Sequence, residues 1–478
     1  MKTTLPNLRL ASHWVNSMLS VRSSTLALTV ALSLIAGAAL CAGQSATDRN
    51  IQGLQVRAKI YPQDYRIYDG LGAAYIQKGR ETADSSYYEL ARQALNKSLD
   101  LLSNDPGAAS AKTHMAVVSM AEHQFEDAIR WAQEALALGS GDPAPWAILG
   151  DALTDLGRYD QATAAYAHLR DPADAEGASP GVAYEHDSRV AYLEFLKGDS
   201  QGAKRLMQAA ISSALALHLP RENVAWSQYQ LGEICFRSGD LECAERAYQA
   251  GLEVQPDSYR NLAGLGELRA AQRRNAEAIA LLERALAIVP FPMYAAALYD
   301  LEIKADHPAE AKKQYDLIQF ISRLNPINER LFYRELALFY ADHGLKLDES
   351  VALARKEIEV RQDIYTWDIL AWTLYKNNRA EEAAQAMQKA LAPGTEDALL
   401  YFHAGMIEAR CGHPELARTL LERALRLNPH FHPFYGDEAR RTLALLAVPA
   451  GAAHRQTGAA LTSVPTSTLA SGTLKGRS

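Results

Sequence analysis

Few residues in this sequence have the types and spacing that metal binding requires. His430 and His432 offer two imidazoles, but no pair of carboxylates stands near them to complete a ligand set. We predict that both face solvent in a loop flanked by prolines. His403 and His413 are expected on different helical faces or turns. The sequence therefore predicts no metal site.

The four cysteines are too few for a disulfide scaffold, and no two have the short spacing of a zinc site. Cys41, Cys235, Cys243 and Cys411 are therefore expected to be small apolar residues. One alternative remains open. Cys235 and Cys243 could lie on two facing helices and form a disulfide, which requires a domain outside the cytoplasm.

No catalytic or cofactor motif is predicted. The metalloprotease pattern HExxH and the phosphate-binding pattern GxxxxGK[ST] do not occur. Gly264 and Gly266 lack the third glycine and the strand context of a dinucleotide loop. Glu381 and Glu382 are typical of the solvated start of a helix. We therefore predict a protein that is not an enzyme, with no cofactor and no small-molecule substrate.

Length, composition and charge favour a long array of helices. The chain has 478 residues, more than one compact core usually holds. Gly and Pro fall mostly at the ends of predicted elements, as packed helices require. The formal net charge of −7 comes with no basic stripe, so we expect no nucleic-acid partner.

The strongest pattern is a small apolar residue that recurs at intervals of 32 to 41 residues. Another small residue precedes most of these positions by twelve residues, and a large apolar or aromatic residue follows most of them by four. Such spacing places side chains on one buried helical stripe, and two facing small residues let two helices cross closely. We predict ten helix pairs. The recurring residues are Ala91, Ala128, Ala162, Ala203, Ala244, Ala278, Ala311, Val351, Ala383 and Ala417.

Two segments carry a recognisable signature. Trp146-x-x-Leu149-Gly150-x-x-Leu153, followed by Ala162-x-x-x-Tyr166, resembles the tetratricopeptide repeat. Trp367-x-x-Leu370-Ala371-x-x-Leu374, followed by Ala383 and Met387, is similar. The resemblance covers roughly residues 60 to 430 and is to bacterial members of the family that carry an N-terminal signal or anchor. It implies an all-α, right-handed superhelical α-solenoid of about ten helix-turn-helix units with a C-terminal capping helix.

An apolar stretch near the N-terminus predicts export or anchoring. Residues 26–42 carry no charge, follow basic residues, and number 17, which lies between a signal-peptide core and a bilayer span. Two alternatives stay open: the signal is cleaved, or it tethers the chain to the inner membrane. Translation from Met18 in place of Met1 would give a signal of ordinary length.

The repeat pattern and the composition together predict the boundaries of the chain's parts. A polar segment containing Gly and Pro interrupts the repeats, and the tail is too poor in large apolar residues to fold. The predicted parts are a signal or anchor with a polar leader (1–47), three repeat units (60–169), an interrupting loop (170–187), seven repeat units (188–430), a capping helix (431–447) and a disordered tail (448–478).

In arrays of this family the first helix of each pair lines the concave wall, and its non-packing side is the expected contact surface. Aromatic residues are frequent there, and such residues are enriched in binding hot spots. We hypothesise that they form a partner-binding groove; the alternative is that neighbouring helices bury them as core. The residues are Trp226, Tyr229, Phe236, Tyr365, Trp372, Tyr375 and Phe402.

The resemblance implies a non-catalytic scaffold or adaptor that presents a curved surface to protein or peptide partners. The apolar N-terminal stretch places it outside the cytoplasm, periplasmic or secreted, or anchored in the inner membrane. Two alternatives are a periplasmic assembly component of an envelope or polysaccharide-export system, and a regulatory subunit of an enzyme. The repeats do not identify the partner.

Overall fold

The computed structural model describes residues 45–102, 106–139, 141–169, 180–323 and 331–447. Within these ranges the chain forms twenty-two helices and no strand. The helices are α1 (Ala46–Ile60), α2 (Tyr65–Thr82), α3 (Ser86–Leu102), α4 (Ala108–Ala121), α5 (Phe125–Ala137), α6 (Ala144–Asp155), α7 (Tyr159–Ala167), α8 (Pro180–Leu196), α9 (Ser200–Ala216), α10 (Arg221–Arg237), α11 (Leu241–Val254), α12 (Tyr259–Ala271), α13 (Asn275–Ile288), α14 (Pro292–Lys304), α15 (Pro308–Ile321), α16 (Tyr333–Asp342), α17 (Leu347–Val360), α18 (Ile364–Lys376), α19 (Ala380–Leu391), α20 (Ala398–Arg410), α21 (Pro414–Leu427) and α22 (Tyr435–Leu446).

Helices α2 to α21 follow one another as ten helix-turn-helix units, so the predicted all-α solenoid is confirmed. The chain divides into two compact units, Met1–Val118 and Ser119–Ser478. Among the described residues, no helix has both the length and the apolar character that a bilayer crossing requires. The predicted signal segment and tail lie outside the described residues.

The recurring small residues occupy the centre of each helix pair. All ten are between 0% and 4% exposed. Opposite them, the glycines of the first helices have no room for a side chain. A Cβ atom on Gly232 would lie 2.3 Å from the Tyr248 ring, and one on Gly405 would lie 2.7 Å from Cγ of Leu421. Each large side chain stands four residues after its recurring alanine, and so the predicted close helix crossing is present in these pairs.

The first unit begins with a helix that the repeat pattern did not predict. In α1 the Ser45 side chain accepts a hydrogen bond from the Asp48 amide, and the Asp48 carboxylate accepts one from the Ser45 amide. This reciprocal cap satisfies two backbone donors at the start of the helix. Ile51 of α1 packs on Leu71 and Ala74 of α2 and gives this unit its apolar core.

Two predicted boundaries differ from the structure. Residues 180–187, assigned to the interrupting loop, belong to α8, which begins at Pro180. Proline fits the first position of a helix because its missing amide hydrogen is not needed there. The last helix, α22, begins at Tyr435 and not at residue 431. It packs against α20 and α21 through Tyr435 and Ala439.

The second unit turns back on itself. The turns that end α6, α8 and α10 contact the loops that precede α18, α20 and α22. Three side-chain hydrogen bonds among these contacts join residues 192 to 205 positions apart. We call this line of contacts the seam. Gly157, Gly198 and Gly239 stand at the three turns, each with positive φ. A Cβ on Gly239 would lie 1.7 Å from the Leu427 carbonyl oxygen.

Hydrogen bonds to backbone carbonyls hold the seam at each turn. The Gln362 amide donates to the Asp155 carbonyl at 3.0 Å. The Thr395 hydroxyl donates to the Leu196 carbonyl. Asn428 donates through Nδ2 to the Phe236 carbonyl at 2.9 Å. Thr395 and Asn428 are 1% and 0% exposed. These bonds satisfy carbonyls at the ends of three helices, which have no partner within the helix.

A candidate binding cavity in the second unit

The first helices of successive pairs surround a cavity of about 490 Å³ in the second unit. The C-terminal halves of α8, α10 and α12 form one wall, and the N-terminal halves of α18 and α20 form the opposite wall. Helices α14 and α16 and the loop 430–433 complete it. The cavity therefore exists because the seam brings early and late repeats together. Its apolar wall includes Met293, Ala296, Ala297 and Leu338, of which Met293 is 45% exposed.

A half-buried arginine organises the wall formed by α10. The Arg237 guanidinium contacts Glu233 at 3.1 Å and Asp397 at 3.1 Å, and it lies over the Tyr365 ring. Glu233 also accepts a hydrogen bond from the Tyr248 hydroxyl at 2.8 Å. Burial opposes the charge of Arg237, but the acidic neighbours and Tyr365 raise its pKa. Its two carboxylate partners therefore keep the guanidinium charged.

A histidine and an aspartate stand where α14 and α16 meet. His343 Nε2 lies 2.8 Å from the Asp300 carboxylate, and Nδ1 lies 2.7 Å from the Phe339 carbonyl. Burial opposes protonation, but the hydrogen bond to Asp300, the charges of Asp300 and Asp342 and the Phe339 carbonyl together raise the pKa of His343. Because both ring nitrogens face acceptors, these contacts favour the imidazolium form. His432, which was predicted to face solvent, instead lines the cavity, and burial lowers the pKa of its ring.

Two carboxyl groups in the cavity have no ion-pair partner among the residues that the structure describes. Six acidic side chains line it: Glu233, Asp300, Asp342 and Asp368, which have partners, and Glu267 and Glu335, which do not. Neither of the last two makes a hydrogen bond or ion pair with another described residue. Burial, and then the nearby Glu233, raises the pKa of Glu267 to about 7.

Three of the seven aromatic residues predicted to form a binding surface line the cavity: Tyr229, Phe236 and Tyr365. They come from α10 and α18, which face one another across the seam. All three side chains are half-buried, and besides lining the cavity they pack against the apolar core of the unit.

The other four have different surroundings. Trp372 and Phe402 are both 0% exposed, with ring centroids 5.7 Å apart, so the structure supports core packing for these two. Tyr375 stacks on Trp372 with centroids 4.9 Å apart. Trp226 is partly buried and does not line the cavity. Trp372 also donates its indole hydrogen to Asp342 at 2.7 Å, which leaves it no freedom to contact a partner.

The charged residues of the cavity were not among the predicted site residues. Arg237, Glu267, Asp300 and Arg334 all lie on first helices, on the same side as the predicted aromatic residues or one turn away. Reading the charged positions of that side as well as the aromatic ones would have found them. Their pairing across the seam, as between Arg237 and Asp397, leaves no local trace in the sequence.

Two further features bear on chemistry. Cys235 and Cys243 are joined by a disulfide with a Cα–Cα distance of 5.7 Å. The disulfide that the sequence left open as an alternative is therefore present in the structure. Together with Asp240 they are the only group in the described residues with metal-ligand spacing, but the disulfide occupies both sulfurs. A Gly-x-Ser-x-Gly sequence also occurs, at residues 177–181. A hydrolase elbow places that serine between a strand and a helix, and here the preceding described element is helix α7.

A comparison with protein families matches two segments of the chain. The family model described as tetratricopeptide repeat matches residues 229–291 and 370–430. Tetratricopeptide repeats are therefore found in these two segments. The matched segments include α11 to α13 and α19 to α21, and they contribute to opposite walls of the cavity. No curated protein matches the chain.

Three solved structures are similar to this chain at low scores. One is a tetratricopeptide repeat protein from Parabacteroides merdae, with 20% identity, a TM-score of 0.31, and coverage of 55% of this chain and 98% of that chain. The second is yeast Tom70, with 13% identity, a TM-score of 0.35, and coverage of 84% and 95%. The third is the APC/C assembly Cut9–Hcn1, with 12% identity, a TM-score of 0.31, and coverage of 84% and 98%.

Proposed function

We propose that this protein is a non-catalytic interaction scaffold that binds a segment of a partner protein in the cavity of the second unit. The observation that carries the proposal is the cavity itself, which combines an apolar wall with fixed polar groups. Arg237 and His343 are held by carboxylates, so their side chains are ordered before a partner arrives. Ordered groups lose less entropy on binding than mobile ones.

Filling the cavity tests this proposal. Ala297→Trp adds an indole to the cavity wall, and it is expected to abolish partner binding by occupying the volume. Ala280→Trp makes the same change on the exposed surface of α13 and is expected to leave binding intact. The measurement is affinity capture with the full chain, with cross-links mapped to residues, alongside circular dichroism of each variant.

Met293→Trp provides a second cavity variant if Ala297→Trp fails to fold. Partners that cross-link to cavity residues in the wild type and in Ala280→Trp, and are lost in both cavity variants, support the proposal. Equal capture by the wild type and the folded cavity variants would show that binding occurs elsewhere on the array.

The protein acts outside the cytoplasm, either exported or held by its N-terminus. Two observations support this location: the apolar residues 26–42 and the disulfide between Cys235 and Cys243. Disulfides persist in oxidising compartments and are rare in the cytosol. A part in envelope assembly or polysaccharide export fits the same location, but no described residue favours it over other partners.

A reporter fused after residue 450 tests the location. An enzyme that is active only outside the cytoplasm is expected to be active in this fusion. Thiol labelling without reductant is expected to modify Cys411, the free cysteine among the described residues, and to spare Cys235 and Cys243. Activity of a cytoplasm-only reporter at the same position would refute export.

A further inference from the structure

The cavity contains two carboxyl groups that form no ion pair with its other described residues. Arg237 is shared by Glu233 and Asp397, and Arg334 is paired with Asp363 at 3.2 Å. Each guanidinium group that lines the cavity therefore has a carboxylate partner, although Nε of Arg334 makes no hydrogen bond within the described residues. His343 is paired with Asp300. The remaining two carboxylates form no ion pair with a described residue.

Glu267 and Glu335 are those remaining carboxylates. They lie on α12 and α16, on two different sides of the cavity. The Oε2 atom of Glu335 is buried and has no hydrogen-bond partner in the described part of the chain. A buried polar atom without a partner is unfavourable by about 1 to 3 kcal/mol, more for a charged group, and a ligand donor removes that penalty.

The surroundings of the two carboxylates fit one kind of cation. Met293, Ala296, Ala297 and Leu338 form an apolar wall in the same cavity. Lysine and arginine side chains lay an aliphatic stem along apolar surface and place a charged group at its end. A small hydrated metal ion would make no apolar contact with this wall. An anionic segment would be repelled by the two carboxylates.

We propose that the partner segment inserts a lysine or arginine side chain into the cavity, between Glu267 and Glu335, with apolar residues beside it. This inference rests on the proposed function, because it names the chemistry of the segment that the cavity binds. Charge complementarity fixes the position of the basic side chain, and the apolar wall sets the character of its neighbours.

A random octapeptide library displayed on phage and selected on the full chain tests the inference. Peptides retained by the wild type and not by Ala297→Trp report on the cavity. They are expected to share one lysine or arginine flanked by apolar residues. Synthetic versions are expected to lose at least about tenfold in affinity when the basic residue is replaced by glutamine, since a hydrogen bond to a charged group contributes on this scale.

The protein side of the same pair is tested by Glu267→Gln and Glu335→Gln. Each is expected to weaken the basic peptide about tenfold and to leave its glutamine version unchanged. Glu283→Gln on the exposed face of α13 is the matched control, with unchanged affinity for both peptides. Circular dichroism verifies that each variant is folded.

Other results would separate the two claims. Enriched cavity peptides without a basic residue, or with an acidic one, would overturn the inference and leave the proposed function standing. No enrichment over Ala297→Trp would overturn both. Spermidine that binds as tightly as the peptides and competes with them would show a site for small cations and would overturn the assignment to a protein segment.

Discussion

Gly239→Ala is expected to destabilise the second unit by about 3 kcal/mol and to open the seam. Gly239 has φ of +81°, where a side chain is strained. The added Cβ would lie 1.7 Å from the Leu427 carbonyl oxygen, so one of the two backbones must move. Movement there breaks the hydrogen bond from Asn428 to the Phe236 carbonyl. Urea unfolding followed by circular dichroism measures the loss.

Gly412→Ala is the matched control for the seam. Gly412 has φ of +83°, but no heavy atom lies within 4 Å of its added Cβ. This variant reports the backbone strain alone, which is about 1 kcal/mol. The difference between the two glycines therefore measures the seam contact. Equal effects of the two substitutions would mean that the seam does not form in solution.

Glu357→Gln is expected to stabilise the protein at pH 8 by about 3 kcal/mol and to change little at pH 4. Glu357 is 1% exposed, and neither carboxylate oxygen has a hydrogen-bond partner among the described residues. Burial raises its pKa from the ordinary 4.5 to about 7, although Arg361 and Arg334 oppose this. The folded state therefore holds the proton more tightly than the unfolded state does.

The sign of the pH dependence follows from that difference. Below pH 4.5 the carboxyl is neutral in both states and its burial is not penalised. As the pH rises from 4.5 through about 7, the unfolded state gains the charge and the folded state becomes relatively less stable. Urea unfolding at pH 4, 6 and 8 checks this. Glu359→Gln, an exposed residue on the same helix, is the control, and an equal gain in both variants would contradict burial of the Glu357 charge as the cause.

The repeats could be predicted from the sequence because their determinants are local. Ala244, Gly232 and Tyr248 belong to one helix pair, and their spacing is set by the period of the helix. The start of α8 was also signalled locally, by Pro180 after a serine, a pattern typical of the beginning of a helix. The Gly and Pro content of residues 170–187 favoured a loop instead, and so the predicted helix began too late.

The cavity could not be predicted, because it depends on how a small rotation between neighbouring repeats accumulates. Whether Asn428 reaches Phe236 is decided by every helix packing between them, and no single repeat encodes it. The aromatic residues illustrate the same limit. Tyr365 and Trp372 lie on the same helix, α18, and both were predicted to belong to the binding groove. Tyr365 lines the cavity, whereas Trp372 is fully buried against Tyr435 and Phe402.

The seam also changes how this unit should fold. An open array folds through contacts between neighbouring repeats, so each repeat adds stability separately. Repeats can then be deleted from either end while the others stay folded. The side-chain hydrogen bonds of the seam join residues 192 to 205 positions apart and raise the contact order, and closing so long a loop slows folding. The late repeats then complete a single cooperative transition. A chain that ends before Asn428 keeps all ten repeats, but we expect it to lose more stability than the packing of α22 alone contributes.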